Sequence, residues 1–521
     1  MMKITLAVKG LFKLKWEYRR TNMDRQSEEQ RIGSFSLPEN LNGFCIHMVG
    51  IKGTGMAALA ELLVHGGASV TGSDVPDHFY TDSILSALGI CPAEGFSAEN
   101  IPSGTQLVIY SSAYSRTENP ELLEADRRKI PVLLYNEALG MFSARPYSIG
   151  IAGVHGKTTV SGMTGTVFRA LDLDASVLAG SAISSFGGKC TMIHGSKYFA
   201  AETCEYREHF LSFHPSKIVL TGIESDHQDY YPTYDAILAA FIRYIDRLPQ
   251  FGELIYCADD PGAKEAARIS FSARPDLVFT EYGENASGAF RVSFLGVRDG
   301  RQYFSLKGVP GEFSLQIPGR HNVRNAAAVC ALAASLVTRE KGSFSFSDAG
   351  KVREALASYT GSKRRSEIVG TADGVLVLDD YAHHPTAVDS TLAGFREFYP
   401  GRRLIVDFMS HTYSRTAALL PDFARAFRSA DTVILHKIYP SAREQPGGPV
   451  DGKTLFDAVR QNHRNVLYFE EPMEARSRIS GMLKPGDVFV TMGAGDNWKL
   501  GLAVLEDLQA REASGKQGSK K

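Results

Sequence analysis

No stretch of this 521-residue chain comes near the roughly 20 consecutive apolar residues that cross a bilayer, so no membrane-spanning helix is expected. Charge of one sign is also missing: 57 Lys and Arg against 58 Asp and Glu leave a formal net charge of −1. That balance offers no electrostatic footprint for nucleic acid or an acidic membrane surface. An anionic ligand therefore has to be held by a local site. Cysteine is sparse, and the six present (Cys45, Cys91, Cys190, Cys204, Cys257, Cys330) form no C-x-x-C pair and no metal-finger spacing. Cys45 in GFCIHMV and Cys330 in AAVCALA sit in apolar runs, where a reduced thiol packs as a small core residue. Buried thiols of this kind are the usage expected in a reducing cytoplasm. No repeat of fixed period is present, which excludes a solenoid.

What remains is an ordinary globular composition, 44% hydrophobic and 22% charged. At about 150 residues per domain the length predicts three or so domains. The ends read differently. Residues 1–40 open with MMKITLAVKGLFKLKWEYRR, whose apolar run is broken by Lys9, Lys13 and Lys15 and followed by no small-residue cleavage site. A disordered extension is expected there, with Met23 as an alternative start and a basic surface-seeking helix as the other reading. Residues 507–521, ending REASGKQGSKK, read as a solvated, disordered tail.

Between the ends the pattern alternates strand, glycine turn and helix three times. Residues 41–145 hold GFCIHMV, the turn GIKGTG, the helical MAALAELLVHG and the strand ASVTGSD, a Rossmann-like start. Residues 146–361 begin with YSIGIAG running into VHGKTT and a helix. They continue through KYFAAE and KIVLTGIE to the alternating RVSFLGV, GRQYFSLKG and GEFSLQIPG, which predict an antiparallel section on a parallel sheet. Residues 362–506 carry GVLVLDDY, RRLIVDFM, ADTVILHKI, RNVLYFE and DVFVTMG, a second Rossmann-like α/β unit. The fold class expected is α/β in three domains, the central one like a P-loop ATPase.

Gly153-Val154-His155-Gly156-Lys157-Thr158-Thr159 follows an apolar strand and opens a helix, the context of a phosphate-binding loop. Backbone N–H groups would cradle phosphate oxygens, Lys157 would neutralise them and the Thr158 hydroxyl would hold Mg²⁺. Only two residues separate the glycines, where the common loop has four. Gly50-Ile51-Lys52-Gly53-Thr54-Gly55 also lies between strand and helix, with Asp74 ending the next strand, about where a dinucleotide fold places its ribose-binding acid. The order is G-x-x-G-x-G, and a plain tight turn is the other reading. Glu202, Glu205, Asp226 and His227 fall at the ends of two predicted strands, where doubly wound sheets bind ligands. They read either as an Mg²⁺ set or as surface acids beside a hydrogen-bonded core histidine. Asn322 and Asn325, spaced i, i+3, either cap the alanine-rich helix or read a base edge. Arg364-Arg365 either reaches a phosphate or is a solvated basic pair. In Asp379-Asp380-Tyr381-Ala382-His383-His384-Pro385, adjacent histidines on a turn seldom ligate one ion together, so no metal site is expected.

Taken in order, these segments resemble the Mur ligase family from about Gly43 to about Leu505. GIKGTGMAALAELL is similar to its uridine-diphosphate loop and is followed by GSD, SSA and NPE. GVHGKTT is similar to its short ATP loop, and HNVRNAAA, KRR, DDYAHHPTAV, SHTYSRT, IYPSARE and MGAGD follow in sequence order. The resemblance implies an ATP- and Mg²⁺-dependent ligase of cytoplasmic peptidoglycan precursor synthesis, on which cell shape and division depend. It would join L-alanine to the carboxylate of UDP-N-acetylmuramate through an acyl phosphate. The family pattern implies that Lys157 binds ATP phosphates, that Thr158 and Glu202 hold Mg²⁺, and that His227 serves a second Mg²⁺. Asn322 and Asn325 would bind adenine, and Arg365 and Asp380 would reach the nucleotide from the third domain. Gly50, Gly53, Thr54, Gly55, Asp74, Ser111 and Ser112 would hold the UDP-sugar. His383, His411 and Arg415 would meet the amino acid.

Three departures stand out: Val154 for a usual threonine, ETCEYR (residues 202–207) for an acid-rich E-A-D-E-S-D, and Gly222 for a common asparagine. None removes a group the chemistry needs. A relative that attaches a recycled tripeptide to the same sugar nucleotide is the nearest rival, and SHTYSRT argues against it. A folate-type polyglutamate ligase, a UDP-sugar oxidoreductase and a non-catalytic nucleotide sensor are further alternatives. The intact Lys157, Thr158, Glu202 and His227 argue against the sensor. No protein partner is legible.

Overall fold

The computed structural model describes residues 35–440, 444 and 449–518. Expectations for residues 1–34, for part of IYPSARE and for residues 519–521 lie outside the described residues. The chain divides into two compact units, Met1–Phe142 and Ser143–Lys521. Leu37 and Leu41 are already buried, so the described chain packs a little before residue 41.

The first unit is built on a five-stranded parallel sheet. Cys45–Val49 lies at its centre, between Ser69–Asp74 and Leu107–Tyr110. Ala93–Glu94 and Val132–Leu134 form the edges. The chain order reverses at the central strand, and ligand crevices form outside the strand ends at such a point. GIKGTG and Ser111 leave from the C-terminal ends of those neighbouring strands. The helix Thr54–His65 buries Met56 to Leu63 and stops at Gly66.

The second unit holds two sheets. The larger has ten strands, with Tyr147–Ala152 between Lys217–Leu220 and Tyr198–Glu202, all parallel. Phe290–Arg298, Arg301–Leu306 and Val309–Leu315 extend one end as the antiparallel section, as the alternation predicted. Helix starts follow local chemistry. Thr233 accepts from Ala236 N at 3.2 Å, Asp260 precedes Pro261 and accepts from Ala263 N at 2.7 Å, and Ser345 forms a reciprocal box with Asp348. Each such cap contributes about 1 kcal/mol. The helix Arg320–Lys341 is buried through most of its alanines and ends at Gly342 with φ +81°, a left-handed stop that suits glycine.

The smaller sheet has six strands in the order Glu367–Ala372, Val375–Asp380, Val488–Gly493, Leu404–Met409, Thr432–Leu435, Val466–Tyr468. The five strands read from the sequence in residues 362–506 are all present, parallel, and joined by one antiparallel edge strand. Two expectations are corrected. The helix Trp498–Gly518 continues through residues expected to be a tail. Leu508 is buried in the core against the sheet, and Asp507 pairs at 2.7 Å with Arg476 of the neighbouring helix Arg476–Met482. Among the described residues no cysteine forms a disulfide, yet only Cys190, Cys257 and Cys330 are buried; Cys91 and Cys204 are exposed, because they lie in loops between elements.

A buried pair in this sheet makes a testable prediction. His436 Nε2 lies 2.6 Å from Asp407 Oδ2, and its Nδ1 lies 3.0 Å from the Phe469 carbonyl oxygen. Both partners only accept, so both ring nitrogens donate and the imidazole is charged. Burial alone would lower its pKa, but Asp407 outweighs that and raises it above the ordinary value. A raised histidine gives stability that is full below the unfolded pKa and lost as pH rises through the folded one. Stability is therefore expected to fall as pH climbs beyond about 6.5, and His436→Gln to flatten that slope in denaturant titrations at several pH values. An unchanged slope would mean that His436 is neutral.

Candidate functional site

In the second unit, the strand Tyr147–Ala152 runs into the phosphate loop and the helix Lys157–Ala170. Gly156 caps that helix at φ +84°, and a Cβ there would come within 2.8 Å of Asn325 Oδ1. Glycine is thus required both by backbone and by the neighbouring amide. Lys157 Nζ donates to Gly153 O at 2.5 Å and to Glu205 Oε2 at 2.8 Å. Thr158 Oγ1 donates to Glu202 Oε2 at 2.9 Å, and the same oxygen accepts from Gly180 N at 2.8 Å. His227 Nε2 stands 3.4 Å from Glu205 Oε1. Glu205 therefore joins Lys157 to His227. Burial pushes its carboxyl up, but Lys157 and His227 prevail and hold it down at about 2. Burial likewise lowers Lys157, and Glu205 and Glu202 outweigh it, leaving the ammonium above its ordinary value. The hydroxyl of Thr158 and the carboxylate of Glu202 lie together and fit a divalent ion, while the His227 imidazole faces Glu205. The oxygens of Thr158 and Glu202 suit Mg²⁺, with His227 a less ordinary donor.

Asp226 precedes His227 and reaches across to the smaller sheet. Its Oδ1 accepts from Arg415 Nε at 2.9 Å and Nη2 at 2.8 Å, both side chains being buried. The same oxygen accepts from His227 N at 2.7 Å, where His227 holds φ +54°. Burial alone would raise the Asp226 pKa, but Arg415 and His227 hold it well below the ordinary range. Arg415 Nη1 faces His411 Nδ1 at 3.1 Å, and the His411 and His383 rings lie 5.9 Å apart. His383 Nδ1 contacts the Tyr381 carbonyl at 2.8 Å. Burial and Arg415 push its pKa well below the ordinary value, so it is neutral. Left-handed backbone at Glu208, His227, Arg364, Ser366 and Thr412 flanks this cluster, as strained residues do at functional sites.

Beside the phosphate loop lies a cavity of about 280 Å³ lined from both sheets, among others by Gly156, Asn322, Asn325, Arg365 and Asp380. Neither asparagine caps the helix, which corrects that reading: its N-cap is Gly319. Instead Asn322 Nδ2 donates to Pro318 O at 2.7 Å, and Asn325 Nδ2 to Asn322 Oδ1 at 3.1 Å. Arg364 donates to Asp379 at 2.9 Å and Gly493 O at 2.9 Å, which makes it part of the scaffold. Arg365 stacks over Tyr381 at 5.0 Å and lines the cavity. Asp380, raised in pKa by burial, accepts from Ser366 N at 2.6 Å and Ala382 N at 2.8 Å. At the Gly222 departure a Cβ would stand 2.8 Å from Asp260 Oδ2. Val154 keeps its backbone bond to Gly222 O at 3.0 Å.

In the first unit the glycine loop is tied down from below. Asp74 Oδ2 accepts from Lys52 N at 2.7 Å, and Oδ1 from Val75 N at 2.8 Å and Tyr114 Oη at 2.9 Å. The geometry gives Asp74 a loop-holding part that the sequence reading lacked. Gly50 has φ +80°, Gly53 caps the following helix, and Gly55 faces Tyr135. Thr54 Oγ1 accepts from Tyr80 Oη at 2.7 Å, and Ser111 N donates to Val49 O at 3.0 Å. Ser112 is exposed beside it. Glu205 and Asp226, read from the sequence as part of an Mg²⁺ set or as surface acids, are buried and pair instead with Lys157 and Arg415; nothing local to them signals those partners.

Comparison with known proteins follows the same division. The chain matches "Mur ligase family, catalytic domain" over residues 45–147, "Mur ligase middle domain" over 151–333 and "Mur ligase, glutamate ligase domain" over 364–495. It is 54% identical over 466 residues to a UDP-N-acetylmuramate–L-alanine ligase of Treponema pallidum, covering 89% of this chain and 97% of that protein. A ligase of the same description from Borreliella burgdorferi is 39% identical over 459 residues, covering 87% and 97%. The crystal structure of the UDP-N-acetylmuramate-alanine ligase of Thermotoga maritima is similar with a TM-score of 0.71 and 25% identity, covering 89% of this chain and 99% of that one.

Proposed function

The chain belongs to the Mur ligase family, and on that footing we propose that it joins L-alanine to the carboxylate of UDP-N-acetylmuramate with hydrolysis of ATP. The observation that carries this reading is the meeting of two clusters in one site. The phosphate-loop cluster of Lys157, Thr158, Glu202, Glu205 and His227 is linked through Asp226 to the Arg415–His411 cluster. The 54% identity to the Treponema ligase over nearly its whole length supports the choice of substrates.

In this mechanism the muramate carboxylate attacks the γ-phosphate of ATP, giving an acyl phosphate and ADP. The alanine amine then attacks the acyl carbon, and phosphate leaves. Such chemistry depends mainly on positioning and on neutralising charge in the transition state. Lys157 provides a cation at the phosphate loop, and Arg365 adds a second from the smaller sheet. Mg²⁺, held by Thr158 and Glu202 with His227 serving a second ion, would neutralise charge on the transferring phosphoryl group. Asn322 and Asn325 bind the adenine, with Arg365 and Asp380 completing the nucleotide pocket. Arg415, oriented by Asp226 and flanked by His411 and His383, binds the carboxylate of alanine. In the first unit Gly50, Gly53, Thr54, Gly55, Ser111 and Ser112 hold the UDP-sugar, with Asp74 fixing the loop. The reaction belongs to the cytoplasm, where ATP and sugar nucleotides are made, and to peptidoglycan precursor synthesis.

The test is phosphate release from ATP with Mg²⁺, UDP-N-acetylmuramate and L-alanine. Release is expected only when both acceptor and sugar nucleotide are present. Release with a murein tripeptide but not with alanine would transfer the assignment to the recycling ligase. Silence with both would leave a nucleotide-binding protein without this activity.

A further inference from the structure

We propose that His155, Glu224 and His384 form a site for a borderline divalent ion of the Zn²⁺ class, apart from the oxygen donors of Thr158 and Glu202. His155 lies inside the phosphate loop, Glu224 follows the strand Lys217–Leu220, and His384 precedes the helix Pro385–Phe398. One ligand atom from each lies within 4.8 Å of the others. His155 Nε2 is 3.2 Å and His384 Nδ1 3.4 Å from Glu224 Oε2. Two donors on a tetrahedral ion at about 2.05 Å stand about 3.3 Å apart, so two of the three separations already match.

The tautomer of His384 points the same way. Its Nε2 lies 3.2 Å from the Ser225 carbonyl oxygen, which can only accept, so Nε2 carries the hydrogen. Its Nδ1 accepts from Thr386 N at a long 3.4 Å. Nδ1 also stands 3.4 Å from Glu224 Oε2, and an ion held between them would take the place of the long Thr386 contact. The Ser225 carbonyl is also the kind of outer partner that orients metal-bound histidines. Two imidazoles and one carboxylate suit Zn²⁺ better than Mg²⁺, which prefers oxygen. His383, next along the chain, turns away to the Tyr381 carbonyl and takes no part.

The placement gives this ion a consequence. His155 and Glu224 belong to the larger sheet and His384 to the smaller one, so the ion fastens the two together. His155 and Glu224 also line the nucleotide cavity, so an ion held there sits at its wall. Zn²⁺ would thus lock the cavity and oppose nucleotide exchange.

The probe is Co²⁺, whose visible ligand-field absorption reports four-coordinate nitrogen and oxygen donors. Titration of the full chain in excess Mg²⁺ is expected to give one saturable equivalent, displaced by Zn²⁺. Glu224→Gln and His384→Asn should each weaken it by about tenfold or more, while His227→Ala should leave it intact. Glu224→Gln keeps the side-chain shape and serves alone if His384→Asn does not fold, which thermal unfolding without metal reveals. Absence of a saturable band overturns the proposal. So does a band that survives Glu224→Gln unchanged, or one lost in His227→Ala.

Discussion

Lys157→Ala is expected to lower kcat/KM for alanine ligation by at least about 10³-fold, roughly 4 kcal/mol of transition-state stabilisation. The ammonium is fixed at 2.5 Å from Gly153 O and 2.8 Å from Glu205, so it meets incoming phosphate already oriented. Burial without a partner would be costly for Glu205, whose side chain is 4% exposed. Lys157→Ala should therefore also lower the melting temperature, since the carboxylate is left with His227 alone. The double variant Lys157→Ala, Glu205→Gln separates the two effects. It is expected to recover much of the lost stability and none of the rate. Near-normal turnover in Lys157→Ala would remove this lysine from phosphate chemistry.

Asp226→Ala is expected to raise the KM for L-alanine about 100-fold and to destabilise the chain by about 3–5 kcal/mol, the cost of stranding a buried guanidinium. Arg415 is 6% exposed on its side chain and spends both Nε and Nη2 on Asp226. Without that anchor it can turn towards solvent, and the carboxylate of alanine loses an oriented partner. Asp226→Asn, which keeps the shape, should show a smaller loss of stability while the KM effect persists. Steady-state rates over a range of alanine concentrations, with thermal unfolding, measure both. An unchanged KM would leave the ion pair a purely structural clasp.

The strand and helix alternation was legible because apolar runs and glycine turns are local signals. The phosphate loop was legible for the same reason, since a strand, a glycine pair, a lysine and a helix start adjoin in sequence. The Asp226–Arg415 pair was not, because its members are 189 residues apart and meet only once two sheets face one another. Glu205 was noticed as an acid at a strand end, yet its partners Lys157 and His227 come from other loops. The capping reading of Asn322 and Asn325 failed because the helix begins earlier, at Arg320, behind Gly319. The tail reading failed because polar composition hid Leu508, which is buried, and two charged residues that pair across the fold, Asp507 with Arg476 and Arg511 with Asp373.

The double attachment of Asp226 also bears on how this site can vary. One oxygen serves Arg415 and the backbone of His227 at once, so positions 226, 227, 411 and 415 share a single constraint. Substitutions at 226, 411 and 415 alter what one another tolerate, and their effects will not add. An inhibitor that grips both Arg415 and the phosphate loop would therefore confront escape routes needing paired changes. A single change at 226 or at 415 passes through a chain with a buried, unmatched charge.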